Sequence, residues 1–152
     1  MCRYLPARME LLIFDTNQIL VMLPEEFCQV GVKKLSENPF YLMDDEWMLI
    51  TAGSPDHFNM MTASWGTLGI LWNKPVALCF IRPQRYTRKF TDDSSWFTLC
   101  FFPETFRDAL NLCGSKSGRN IDKVKETGLT PVVTDNGNII FREARLALEC
   151  RK

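Results

Sequence analysis

Short runs of aromatic and β-branched residues alternate with turn-forming residues along most of this chain. Such runs are typical of strands, and Gly, Pro, Asn and Asp are typical of the turns between them. The pattern predicts five strands, over Trp47–Ala52, Val76–Ile81, Trp96–Phe102, Thr130–Val133 and Ile139–Cys150. The last two would form a hairpin through residues 135–138, because Asp, Asn and Gly tolerate positive φ in a tight turn.

Two helices are predicted between the third and fourth of these strands. The first spans Glu104–Cys113 and ends at Gly114. Its apolar face, at helical spacing, consists of Phe106, Ala109, Leu110 and Cys113. The second spans Ile121–Thr127, with Asn120 as its N-cap and Gly128 just after its last turn. The pattern as a whole therefore predicts a mainly β fold with short helices, in a barrel or a sandwich.

Composition limits the classes of protein that this chain represents. At 152 residues with 46% hydrophobic content, it is long enough for one globular domain with a core. Lys and Arg number 18, as do Asp and Glu, so the formal net charge is zero. No overall basic field is present to attract nucleic acid or an acidic membrane surface, and neither is an expected partner. Any anion-binding site must be local.

Cysteine spacing and the N-terminus bear on location. The six cysteines form no C-x-x-C pair and have no metal-ligand spacing, so we expect no metal site and buried, reduced thiols, as in a cytoplasmic protein. Two arginines before the apolar run 11–14 resemble the start of a signal peptide, but polar residues from Asp15 to Gln18 interrupt it. No stretch reaches the roughly 18 apolar residues of a membrane helix.

The candidate chemistry is concentrated in residues 59–87. Thr62, Ala63 and Ser64 have small side chains, which allow a flat ligand to approach the backbone closely. Arg82, Arg85 and Thr87 offer the guanidinium and hydroxyl donors that bind a phosphate. A second polar segment, 113–120, adds Ser117 and Arg119, with Lys116 and Lys123 as less certain contributors and with glycines that shape the backbone. Together they predict a phosphorylated aromatic ligand held from two sides.

Several of these residues also have a purely structural interpretation. The arginines at 82, 85 and 88 with Lys89 are equally typical of a solvated basic surface. Trp65 and Trp72 are candidates for packing in a barrel or a dimer interface, and packing is the favoured role for Trp72. His57, the single histidine, is a weak candidate for a catalytic acid and more typical of a solvent-facing turn. Cys113 is expected to be a buried thiol at a helix end.

Three ordered blocks of the sequence carry a resemblance to a known family: NMMTASWGTLGILWNKPVALCFIRPQRYT, FTLCFF and ALNLCGSKSGRNIDKVKETGLTPV. They resemble the FMN-binding split β-barrel family of flavin reductases, most closely its flavoredoxin branch, over about residues 38–152. The resemblance implies a Greek-key-like split β-barrel that binds FMN non-covalently, as a homodimer with the flavin near the interface. It also implies a domain over 24–152 that lacks part of the family's C-terminus, after an atypical segment 1–23.

The resemblance assigns roles to individual residues. Thr62, Ala63 and Ser64 match the block that follows the isoalloxazine ring and the ribityl chain, and Asn59 adds a polar contact. The block that reaches the phosphate and the ribityl hydroxyls corresponds to Arg82, Arg85, Tyr86 and Thr87. Ser117 and Arg119 match the second loop.

The function implied is that of an FMN-dependent oxidoreductase. Electrons would pass from NADH, NADPH or a redox protein through bound FMN to a small-molecule or protein acceptor. Because the flavin carries out the electron transfer, no acid–base residue is required of the protein. Two alternatives remain open, an electron carrier without a nicotinamide site and a non-catalytic FMN-binding module. The absence of G-x-G-x-x-G does not separate them, since this family does not use that loop.

Overall fold

Residues 15–22 and 27–152 are described by a computed structural model of the chain, the first of these ranges by its backbone. Residues 11–14, Cys2 and the expected domain boundary at 23–24 lie outside the described residues. The main sheet is antiparallel and has six strands in the order β2-β1-β10-β7-β3-β4. Their bounds are β1 (Asp15–Met22), β2 (Phe27–Val30), β3 (Met48–Ser54), β4 (His57–Ala63), β7 (Trp96–Phe101) and β10 (Leu146–Arg151).

Two hairpins, four short α-helices and three helical turns complete the described fold; two of these turns are 3-10 turns, at Val32–Lys34 and Glu104–Phe106. The hairpins are β5 (Gly66–Leu71) with β6 (Lys74–Cys79), and β8 (Pro131–Val133) with β9 (Ile139–Phe141). The first hairpin contacts β1, which lies toward the other end of the strand order from β3 and β4. This contact gives the sheet its barrel shape. The helices are α1 (Pro39–Tyr41), α2 (Thr87–Asp93), α3 (Arg107–Ser115) and α4 (Lys123–Thr127). A π-helical turn over Leu42–Glu46 follows α1.

The core lies on both faces of the central strands. Successive strand residues point to opposite faces, so Ile50 belongs to one apolar cluster and its neighbour Leu49 to another. The first cluster fills the barrel and includes Phe97, Leu99 and Phe101. The second lies under α3 and includes Leu110 and Cys113, as the helical spacing predicts. This second cluster holds α3 against β4, the strand that carries the candidate site.

The fold class predicted from the sequence, mainly β with short helices, is confirmed. The predicted strand over Ile139–Cys150 is wrong, because it divides into β9 and β10 at a turn. In that turn the Ala144 N–H donates to the Phe141 carbonyl at 3.0 Å, and the Arg145 N–H donates to the Phe101 carbonyl at 2.9 Å. The pattern also missed β1, β2 and α1, and it missed β4, β5 and α2, which lie within the polar stretch 59–87 or at its edges.

Helix ends differ from the prediction in three places. The first predicted helix begins as a 3-10 turn over Glu104–Phe106, and α3 starts only at Arg107. Asp122, rather than Asn120, is the N-cap of α4, because its carboxylate accepts from the Lys125 N–H at 3.1 Å. Gly114 does not end α3, which continues to Ser115. The predicted role of Gly128 is confirmed, since it follows α4 with a φ of 69°.

Trp72 is 79% exposed at the turn between β5 and β6, so it does not pack in the barrel, and its packing in a dimer interface stays a prediction. The expectation that all the cysteines are buried is wrong for one of them. Cys28 is exposed, whereas Cys79, Cys100, Cys113 and Cys150 are buried. Burial raises the pKa of Cys79 and that of Cys100 to about 12, which keeps both thiols protonated at neutral pH.

In the described part of the chain, no helix is long and apolar enough to span a bilayer.

Candidate functional site

Strand β4 lies at the edge of the main sheet and carries four of the predicted site residues along or just after it. Asn59 lies near its middle and Thr62 and Ala63 at its end, followed directly by Ser64. Its hydrogen-bonded neighbour in the sheet is β3, so its outer edge remains available to other groups. The first residue of α2, Thr87, and the loop after α3, at Gly118, both contact Asn59 of this strand.

An open cleft of about 260 Å³ lies at the end of β4, and we call it the arginine cleft. Its lining residues are Met61, Thr62, Ala63, Ser64, Trp65, Phe80, Arg82 and Arg85. Arg82 is exposed, and 64% of Trp65 is exposed beside it. The fold thus brings five residues predicted from two separate sequence blocks to one surface depression.

A second cleft of about 420 Å³, the aromatic cleft, lies further back along β4. Its aromatic walls include His57, Tyr86 and Phe90, and the rings of His57 and Tyr86 lie 4.9 and 5.1 Å from the Phe90 ring. The Arg119 guanidinium lies 4.6 Å from the centre of the Tyr86 ring, which is a cation–π distance. His57 therefore lies in this cleft, apart from the arginine cleft that contains Thr62 to Ser64.

Asn59 and Thr87 bond to each other inside the protein. The Asn59 amide nitrogen donates to the Thr87 hydroxyl at 2.9 Å, and both residues are buried. Gly118 approaches this pair so closely that a Cβ there would lie 2.1 Å from the Asn59 amide oxygen. Its φ is not positive, so the glycine provides space rather than an unusual backbone conformation, contrary to expectation. The Ser117 hydroxyl lies on the same turn, where it accepts from the Arg119 N–H at 3.3 Å.

Side chains from β4 and from the loop before α2 donate to carbonyls in the second half of α3. The Thr62 hydroxyl donates to the Leu110 carbonyl at 2.5 Å. Arg85 donates to the Gly114 carbonyl at 2.6 Å and to the Cys113 carbonyl at 3.3 Å. The final carbonyls of a helix lack helical partners and carry the negative end of its dipole, so a cation is stabilising there. The carbonyls of Cys113 and Gly114 belong to this group, and we refer to these two carbonyls as the α3 terminus.

Arg85 thus binds protein as well as lining the cleft. Its guanidinium has five N–H groups, and the two bonds to the α3 terminus leave others for a ligand. Burial is the main cause that lowers its pKa, and the positive charge of Arg82 lowers it further.

Lys123 is the residue whose role the sequence indicated least clearly. Its ammonium is buried and donates at 2.8 Å to both the Met60 and the Cys113 carbonyls. Burial lowers the pKa of Lys123 to about 8, and burial raises that of the adjacent Cys113 thiol to about 11. Two neutral carbonyls as partners leave no side-chain signature in the sequence. Lys123 lies between Ile121 and Val124, which are both partly buried apolar residues. This position was the available signal in the sequence that the lysine side chain is buried. Lys116, the other uncertain contributor, is exposed.

The chemistry of the site is that of binding and orientation. Cations, hydroxyls and small residues converge on the clefts, and the described residues contain no group of three His, Cys, Asp or Glu side chains that could hold a metal ion. The model of the flavin reductase-like domain family matches residues 41–152, and the chain belongs to this family.

Solved structures agree with this assignment of fold. An FMN-binding domain of flavin reductase-like enzyme from Shewanella baltica superposes with a TM-score of 0.65 at 18% identity, over 90% of this chain and 66% of that one. Flavoredoxin from Methanosarcina acetivorans gives 0.63 at 23% identity, over 78% of this chain and 62% of that one. Flavoredoxin of Desulfovibrio vulgaris gives 0.58 at 18% identity, over 82% and 73%. The chain therefore spans less than two thirds of the first two proteins. Comparison with curated protein sequences gives no significant match.

Proposed function

We propose that this protein binds FMN non-covalently at the arginine cleft and passes electrons through it as an oxidoreductase. The observation that carries the proposal is the convergence of Thr62, Ala63 and Ser64 with Arg82 and Arg85 in one open cleft of a flavin reductase-like domain. Bound FMN would supply the hydride and electron chemistry, and the protein would supply position and charge.

The donors and the shape of the cleft fit this ligand. Arg82 is exposed at the rim, where a guanidinium binds a phosphate through paired, charge-assisted hydrogen bonds. Ala63 and Ser64 let a planar ring lie close to the backbone, whose N–H groups stabilise negative charge on a reduced ring. Trp65 and Phe80 offer apolar surface beside them. A cleft of about 260 Å³ is small for a whole FMN, so the ligand would extend beyond it.

The proposal includes a homodimer. Ile70 and Trp72 are 69% and 79% exposed on the β5–β6 hairpin, and Phe40 is 83% exposed on α1, which lies near β5. Large apolar side chains grouped in this way are typical of a protein interface, and a second copy would also add walls to an open cleft.

The direct test is the binding of FMN by the purified protein. The bound flavin should give a yellow protein, and acid precipitation should release FMN rather than FAD. Titration of the apoprotein with FMN, followed by flavin fluorescence, gives the Kd. A colourless protein that does not take up added FMN would exclude the proposal.

Stopped-flow bleaching of the bound flavin then identifies the electron donor. Rapid bleaching by NADH or NADPH supports a reductase, and comparison of the two rates identifies the preferred nicotinamide. Bleaching by a reduced redox protein alone supports a flavoredoxin-like carrier. A flavin that neither kind of donor reduces supports the non-catalytic module.

A further inference from the structure

Strand β4 and helix α3 are tied together at two points. One tie is the Thr62 hydroxyl on the Leu110 carbonyl, at the arginine cleft. The other is the Lys123 ammonium, which bridges the Met60 carbonyl of β4 and the Cys113 carbonyl of α3 at 2.8 Å each. Met60 is two residues before Thr62, so the two ties are neighbours along β4.

Lys123 shares an acceptor with Arg85. Both cations donate to the Cys113 carbonyl, Lys123 at 2.8 Å and Arg85 at 3.3 Å. The place where the Arg85 guanidinium is held therefore depends on the same peptide group that Lys123 holds. A single side chain thus contacts the strand of Thr62 to Ser64 and the anchor of Arg85.

Burial of the charged Lys123 side chain is energetically unfavourable. Only 5% of it is exposed, and both partners are neutral carbonyl groups rather than carboxylates. Lysine is rarely buried to this extent, because its charge loses hydration. An apolar side chain of similar length would fill the space without that cost, so the two hydrogen bonds are what distinguishes lysine here.

We propose that Lys123 is a positioning residue for the FMN site, which fixes the separation of β4 and the α3 terminus and thereby places Thr62 to Ser64 relative to Arg85. This inference rests on the proposed function of the arginine cleft. Lys123 acts through backbone groups, and its contribution to binding is the geometry of the residues that contact the ligand. The competing explanation is that Lys123 stabilises the fold alone.

The test compares Lys123→Met with Glu149→Gln. The first change keeps the apolar stem and removes the donors. The second alters a buried carboxylate that accepts from Thr134, Asn136 and Asn138 on the β8–β9 turn, away from both clefts. Both variants should lose thermal stability. Lys123→Met should also weaken FMN binding by about tenfold or more, as loss of a supporting residue commonly does at other sites. Glu149→Gln should leave the Kd within about twofold of wild type.

Two further readouts report position rather than stability. The visible circular dichroism of bound FMN depends on its asymmetric surroundings, and it should change in Lys123→Met at saturating FMN but not in Glu149→Gln. The effects of Lys123→Met and Arg85→Ala on the Kd should be less than additive when combined, because both residues hold the Cys113 carbonyl. If Lys123→Met does not fold, Lys123→Gln, which keeps amide N–H donors, takes its place with a smaller expected loss.

The outcomes separate this inference from the proposed function. A lysine variant that lowers the Tm but keeps the wild-type Kd and dichroism shows a purely structural role and overturns the inference, while FMN binding by wild type still stands. Equal loss of affinity in Glu149→Gln overturns it as well, because the effect would then follow stability. A wild-type protein that binds no FMN overturns both.

Discussion

Gly118 has no room for a Cβ beside Asn59, which makes Gly118→Ala a sharp test of the structure. A Cβ at Gly118 would lie 2.1 Å from the Asn59 amide oxygen and 3.0 Å from its Cγ. Ordinary van der Waals contact begins near 3.4 Å, so the amide would have to move by about 1 Å. Asn59 is 7% exposed and its amide nitrogen is already bonded to the buried Thr87 hydroxyl, so that movement would strain or break the bond.

The expected cost follows from these two effects. Overpacking costs about 1–3 kcal/mol, and a lost buried hydrogen bond adds about 1 kcal/mol or more, so Gly118→Ala should reduce the free energy of unfolding by about 2–4 kcal/mol. Urea unfolding of the apoprotein measures it. Gly69→Ala is the matched control, because a Cβ at Gly69 meets no atom within 4 Å, and it should be nearly neutral.

A second substitution tests the cause. In an Asn59→Ala background the clash partner is absent, so Gly118→Ala should cost much less than it does in wild type. The reasoning is refuted if Gly118→Ala is as stable as Gly69→Ala, or if its cost is unchanged when Asn59 is alanine.

The remaining predictions concern charge and surface. Arg82→Ala should raise the Kd for FMN by about tenfold or more, because a charge-assisted contact contributes about 1.5–3 kcal/mol, whereas exposed Arg142→Ala should not change the Kd in the same titration. Arg145→Ala should cost about 1–2 kcal/mol in urea unfolding at pH 7, because Arg145 pairs with Glu37 at 2.9 Å. Arg145 lowers the pKa of Glu37, so protonation of Glu37 at low pH removes the ion pair from the wild type. The difference in unfolding free energy between wild type and Arg145→Ala should therefore shrink as the pH falls below about 4, through the lowered pKa. A difference that is independent of pH would contradict this prediction. Trp72→Lys should convert the proposed dimer to a monomer in sedimentation, and an unchanged mass would reject this hairpin as the interface.

The strands that the sequence predicts well are those with a simple hydrophobic pattern. Trp96–Phe101 is a run of aromatic and apolar residues interrupted only by Thr98, and a strand buried on both faces has that pattern. Strand β4 lacks it, because polar Asn59 and Thr62 take part in contacts to α2 and α3 that an isolated strand pattern does not reveal. The turn at Ala144, which divides the predicted strand into β9 and β10, was not visible in the sequence for a related reason. Its apolar side chain continues the alternation, while the turn is specified by backbone hydrogen bonds.

The same distinction applies to the site. Residue chemistry was sufficient to group Ser64 with Arg82, because small residues and guanidiniums recur at anion and flavin sites, and the fold brings them together. The partners of Arg85 and Lys123 are main-chain carbonyls, which every residue possesses, so their pairing follows from the position of α3 alone. Trp72 shows a second limit of prediction from sequence. The sequence does not say whether an aromatic residue packs within its own chain or remains exposed at its surface.

Arg82 and Arg85 are three residues apart and are expected to contribute differently to binding. Arg85 is held by two carbonyls of the α3 terminus, so part of its hydrogen-bonding capacity is used before any ligand arrives, and its position is fixed. Arg82 is exposed and has more freedom to meet a phosphate, at a greater cost in side-chain entropy. Replacing Arg85 also leaves the Gly114 and Cys113 carbonyls with fewer partners, so its loss would affect stability as well as affinity. In the proposed binding of FMN, the fixed Arg85 would contact the ligand without further ordering, whereas the exposed Arg82 would lose side-chain entropy on binding.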